Sequence, residues 1–210
     1  FDTGGVDIKP SAGMRLMKKD MGGSAAALGL VYWAALSRAK VNLDVYLPMA
    51  ENSVSGESFR PSDVITARSG STIEIHNTDA EGSLSLADAI DVAVTAKDKP
   101  RVLIDVATLT GAIKVAIGGG MAGLFSNSPR LAAELNSTGQ EVGDLSWIMP
   151  LFQLFRSQMN SNFADMVNAV DGFGGAITAA LFLEKFVAGV PWAHLDIYAW
   201  KDSAEGCWLE

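Results

Sequence analysis

Apolar and polar positions change period several times along this chain, and the changes predict alternating helices and strands. Residues 23–39 are alanine-rich and apolar on most faces, as in a helix packed against a sheet. The run 41–49, with Val45 and Leu47, reads as a buried strand. Two short alternating stretches, Val64 to Arg68 and Thr72 to His76, are joined by Ser69-Gly70-Ser71, which predicts a hairpin. Leu84 to Ala96 has helical spacing, and the β-branched run Arg101 to Val106 predicts a central strand. Pro129 to Val142 starts with proline in its first turn and carries Leu131, Ala132 and Leu135 at helical intervals. Gly175 to Val187 predicts a further apolar helix, and Trp192 to Ile197 a last strand. Gly118-Gly119-Gly120 lacks the lysine that would follow in a phosphate loop and reads as a tight turn. Such alternation implies an α/β fold: a mixed, largely parallel sheet with helices on both faces, and ligands gathered at strand ends.

Composition narrows the classes. With 49% hydrophobic and 19% charged residues among 210, the chain has the make-up of one globular domain with a substantial core. A formal net charge of -8 argues against nucleic acid or an anionic membrane as partner, since both require a basic face. Cys207 is the single cysteine and has no internal disulfide partner, which suits a reducing compartment and favours the cytoplasm. Ala25 to Leu36 is too short a run to span a bilayer, so no membrane segment is predicted.

Candidate chemistry centres on Asn77-Thr78-Asp79-Ala80-Glu81-Gly82. Extended backbone would aim Asp79 and Glu81 at one spot, and paired carboxylates can hold a divalent metal. Taken singly, each acidic residue reads more readily as a turn or helix cap than as a ligand. The block resembles the signature of the leucyl aminopeptidase (cytosol aminopeptidase) family, whose motif reads Asn-Thr-Asp-Ala-Glu-Gly-Arg. Further family motifs follow its order: Phe1-Asp2-Thr3-Gly4-Gly5, Ile8-Lys9-Pro10, Lys19-Asp20-Met21-Gly22-Gly23, Ala107-Thr108-Leu109-Thr110-Gly111-Ala112, Asn162-Phe163-Ala164-Asp165-Met166, Gly175 to Ala180 and Trp192-Ala193-His194-Leu195-Asp196.

The resemblance spans nearly the whole chain, residues 1–210, and implies a metallopeptidase catalytic domain truncated at both ends, without the family's N-terminal domain or its metal-binding lysine before Asp2. It implies an aminopeptidase that removes N-terminal residues, leucine-like ones preferred, through a hydroxide bridging two divalent metals. Mn²⁺ or Zn²⁺ would serve, and Mg²⁺ or Co²⁺ is also compatible with oxygen ligands. By the same resemblance Asp2, Asp20, Asp79 and Glu81 are the metal ligands and Lys9 the catalytic ammonium beside the oxyanion. Met17, Asn77, Thr108 and Leu109 correspond to the substrate wall, for which Met17 and Leu109 have core packing as an equal alternative. One position departs: Ser83 stands where the family has an arginine that holds a bicarbonate base. That change leaves a second function open, a weakly active or non-catalytic relative with a structural or assembly role. Family members are hexamers, and Trp147 to Phe155 with Met159 and Phe163 could supply a subunit contact or internal core. His76 and His194 match no zinc motif and read as structural.

Overall fold

The computed structural model describes residues 9–51 and 54–201. After one helical turn, α1 (Ser11–Met14), and a 3₁₀ turn at Met17–Lys19, the chain runs through α2 (Gly22–Leu36), β1 (Val64–Thr66), β2 (Thr72–Glu74), α3 (Glu81–Val94) and β3 (Leu103–Ala107). It continues through α4 (Gly111–Ile117), β4 (Ala122–Ser126), α5 (Pro129–Val142), β5 (Ser146–Ile148), a 3₁₀ segment at Gln153–Met159, β6 (Met166–Val167), α6 (Gly175–Glu184) and β7 (Trp192–Asp196). The α/β expectation holds, with its strands in two ladders. The larger has the order β3-β7-β4-β5 and the smaller β1-β2-β6. Parallel pairs are β3 with β7, β4 with β5, and β2 with β6; β1–β2 and β4–β7 are antiparallel.

Local chemistry explains the boundaries. Gly70, at φ 90°, makes the turn between β1 and β2, where Ala67 N–H donates to the Ser71 carbonyl at 2.8 Å. Helix α5 begins with Pro129 behind the Ser128 cap, whose side chain accepts from Leu131 N–H, and stops at left-handed Gly143. Thr110 caps α4 in the same way through Ile113 N–H.

The period of two along β7 divides the core. Ala193 and Leu195 face α5 together with Leu124, packing on Leu131, Ala132 and Leu135. Trp192 and Phe125 face the other way, into the main cluster with Ile113 of α4 and Ala176, Ala180 and Leu183 of α6. Helix α2 lies against β3 so closely that a Cβ at Gly23 would overlap the Val106 carbonyl oxygen. Gly23→Ala is therefore expected to lower stability by about 1–3 kcal/mol through overpacking, although alanine is the better helix former. A urea midpoint equal to that of the native protein would contradict this packing.

The predicted strand at 41–49 requires correction. The segment is without regular structure, and Val41, Leu43, Val45 and Tyr46 are all exposed. Its alternating pattern is real, but a strand also needs a neighbour for its N–H and C=O groups, and no strand among the described residues pairs with it. The pattern alone did not register α1, α4, β5 and β6, which offer too few residues to show a period, nor β4, whose Ala-Gly-Leu-Phe-Ser does not alternate.

Candidate active site

The site residues sit where strands and helices meet. Asn77 shapes the loop into α3: its side-chain carbonyl accepts from Asp79 N–H at 2.9 Å, forming a turn that commits the next residues to the helix. Glu81 then occupies the first turn of α3, where the helix dipole favours a negative charge. Asp79 projects beside this turn and forms an ion pair with the Lys9 ammonium, bringing together two candidates 70 positions apart. Ser83 is buried one residue beyond Gly82 on the same helix.

Asp20 ends the 3₁₀ turn that starts at Met17. Its carboxylate accepts the Thr108 hydroxyl at 2.6 Å and lies 3.6 Å from the Lys19 ammonium. Thr108 and Leu109 belong to the turn joining β3 to α4. A Cβ built on Gly82 would lie 3.9 Å from Leu109 Cδ1, so the start of α3 and this turn are neighbours. The structure thus brings Lys9 to Asp79 and Asp20 to Thr108, and sets Gly82 beside Leu109. Asp2 lies outside the described residues. Among those described, no three His, Cys, Asp or Glu side chains form a group able to hold a metal. The donors Asp20, Asp79 and Glu81 are hard oxygen ligands of the kind divalent ions require, so the fit lies in chemistry rather than in a closed coordination shell.

Three supporting residues escaped sequence reasoning. Asn168, after β6, receives the backbone N–H groups of His76 and Asn77 at 2.8 and 3.2 Å and donates to the Asn77 carbonyl at 2.6 Å. Asp196, at the end of β7, accepts from Leu109 N–H at 3.0 Å, Thr110 N–H at 3.2 Å and the Thr110 hydroxyl at 2.6 Å. Burial raises the Asp196 pKa against the opposing pull of His194 and of these donors. Asp105 accepts from the Trp192 indole at 2.6 Å and binds His194 Nδ1, with the imidazole stacked between Phe125 and Trp192. Burial works to lower the His194 pKa, but Asp105, by charge and hydrogen bond, and the charge of Asp196 leave it raised. The structural reading of His194 therefore agrees with its position. His76 is exposed, 3.5 Å from Glu74. No sequence period marks such partners, because each lies some 86 to 92 residues from the groups it holds.

Asp79 between β2 and α3, and Thr108 and Leu109 between β3 and α4, stand at strand-to-helix connections, where α/β domains gather their ligands. Comparison with known proteins makes the class specific. The catalytic domain of the cytosol aminopeptidase family, peptidase family M17, matches residues 1–208, and the chain belongs to this family. It is 53% identical over 197 residues, 94% of its length, to a probable cytosol aminopeptidase of Rhodopseudomonas palustris strain TIE-1. A probable cytosol aminopeptidase of Xanthobacter autotrophicus is 52% identical over the same length. The crystal structure of cytosol aminopeptidase from Coxiella burnetii superposes with a TM-score of 0.87 at 45% identity, covering 98% of this chain and 45% of that one. The bottromycin maturation enzyme BotP, in complex with Mn, gives 0.82 at 39% identity over 95% of this chain and 44% of that one. The chain spans 39% of the length of the curated relatives it matches. No helix among the described residues is long and apolar enough to cross a membrane.

Proposed function

We propose that the whole protein is a metal-dependent aminopeptidase that hydrolyses N-terminal residues, leucine-like ones preferred, from peptides in the cytoplasm. The observation that carries the reading is the ion pair of Lys9 with Asp79 at the start of α3, next to the turn whose Thr108 holds Asp20. Asp2, Asp20, Asp79 and Glu81 are the proposed metal ligands. Two divalent ions, Mn²⁺ or Zn²⁺ before Mg²⁺ or Co²⁺, would supply water activated for attack at neutral pH. Against that background Lys9 offers an ammonium to the oxygen on which negative charge develops, worth about 10²–10³ in kcat for one such donor. Thr108 fixes Asp20 in one orientation, and Leu109 and Met17 offer apolar surface to the first side chain of the substrate. Titration of the whole protein with Mn²⁺, alongside hydrolysis of leucine amide, tests the reading; two equivalents bound with turnover support it, and no binding rejects it.

Buried Ser83 favours a second reading, a weakly active or non-catalytic relative, because a hydroxyl cannot grip an anion as the guanidinium fork does. General-base assistance is worth about 100- to 10,000-fold, so Ser83→Arg should raise kcat in bicarbonate by a factor within that range if the arginine role can be restored. Strong bicarbonate activation of the native serine form would reject this account of Ser83. The whole protein is also proposed to be a homohexamer. Trp147 (61%), Leu154 (75%) and Phe163 (78%) are exposed and offer apolar surface for a subunit contact, whereas Met159 is internal core. Sedimentation as a monomer at micromolar concentration would remove that proposal.

A further inference from the structure

The carboxylate of Asp196 belongs to none of the metal, substrate or catalytic positions above, yet three donors of the Leu109–Thr110 turn converge on it. It is fully buried at the end of β7, whose register with β3 pairs Asp196 with Ala107, the residue before Thr108. The Ile197 N–H donates to the Ala107 carbonyl at 2.9 Å, so the backbone is pinned immediately before the turn. Asp196 then accepts from the Leu109 and Thr110 N–H groups and from the Thr110 hydroxyl. That hydroxyl also accepts from Ile113 N–H at 3.2 Å, which ties the turn to α4. Thr108 is thereby held between two fixed points, with its hydroxyl directed at Asp20. A threonine on a loose loop would lose this direction, since nothing in its own backbone enforces it.

We propose that Asp196 is a positioning residue that sets the Thr108–Thr110 turn and, through the Thr108 hydroxyl, the orientation of Asp20. Its effect on metal affinity rests on the dimetal reading; its effect on the turn does not. Groups that orient a metal ligand typically contribute 10- to 100-fold in affinity, which sets the expected scale.

The test uses the whole protein as native, Asp196→Ala, Asp196→Asn, Thr108→Val and the Asp196→Ala/Thr108→Val double variant. In metal-free protein, amide hydrogen exchange at Leu109 and Thr110 should quicken about tenfold or more in Asp196→Ala while Leu124 in β4 keeps its native rate. Asp196→Asn retains a carbonyl oxygen for both N–H groups and should restore protection. Mn²⁺ affinity should fall about 10- to 100-fold in Asp196→Ala and in Thr108→Val, with the double variant no weaker than either. Unchanged exchange at Leu109 and Thr110, or equal quickening at Leu124, would overturn the positioning role. Losses of Mn²⁺ affinity that simply add would overturn the route through Thr108. A native protein that binds no Mn²⁺ would reject the metal reading instead, and exchange at the turn would still decide the role of Asp196. If Asp196→Ala fails to fold, Thr110→Val, which removes the hydroxyl's contact with Asp196 together with its cap on Ile113, should quicken exchange at Thr110 about threefold, and no quickening there overturns the proposal.

Discussion

Asp20→Ala in the whole protein is expected to lower kcat/KM for leucine amide by about 10³-fold or more, with a smaller loss of stability. The large figure follows from the proposed ligand role, because metal-assisted charge stabilisation contributes several kcal/mol and each 1.36 kcal/mol is a factor of ten in rate. The small one follows from the surroundings. Asp20 ends a three-residue 3₁₀ turn, and its removal leaves the Thr108 hydroxyl without this acceptor and Lys19 without a partner at 3.6 Å. One lost hydrogen bond to a charged group costs about 1.5–3 kcal/mol, less than the loss expected in the activation barrier. Activity and the urea midpoint measured on the same preparation separate the two effects. An Asp20→Ala protein within tenfold of native activity would remove Asp20 from the metal-binding set, whatever its stability.

Asp105→Ala has the opposite signature, a large loss of stability. Asp105 is buried on β3 and holds both the Trp192 indole and His194 of β7, which are themselves completely buried. Breaking a buried ion pair by removing one partner costs about 3–5 kcal/mol, because the remaining charge stays in a low-dielectric interior. Urea unfolding would show it as a lower midpoint at unchanged slope. Its pH dependence has a definite sign. The folded His194 pKa lies above its unfolded value of 6.5, so its contribution is complete below that pH and is lost as pH rises through the folded pKa. Native stability should therefore decline on the alkaline side of 6.5, and the decline should be shallower in Asp105→Asn, which lacks the charge that raises the imidazole. Equal slopes in the two proteins would show that Asp105 is not the cause.

These two carboxylates differ in how visible they were. Asp20 stands inside Lys19-Asp20-Met21-Gly22-Gly23, so its candidacy could be read from neighbouring residues. Asp105 is one acidic residue in a β-branched strand, and its role depends on Trp192 and His194 arriving on the adjacent strand β7. Helix α5 was legible to its ends, because a capping serine, a first-turn proline and a terminal glycine are all local signals. The 41–49 segment misled because its alternation is also local, whereas strand formation is decided by a partner elsewhere.

Residue order determined the family, the α/β class, the places of α2, α3 and α6, both ends of α5, and the candidates Lys9, Asp20, Asp79, Glu81, Thr108 and Leu109, since each is carried by a pattern or motif within a few positions. Folding decided which of them meet: Lys9 with Asp79, Thr108 with Asp20, and Asp196 beneath the turn that carries Thr108. Hydrogen bonds and ion pairs act over a few ångströms, and two groups separated by 70 to 90 residues reach that range only when β3 and β7 align and α3 packs beside their ends.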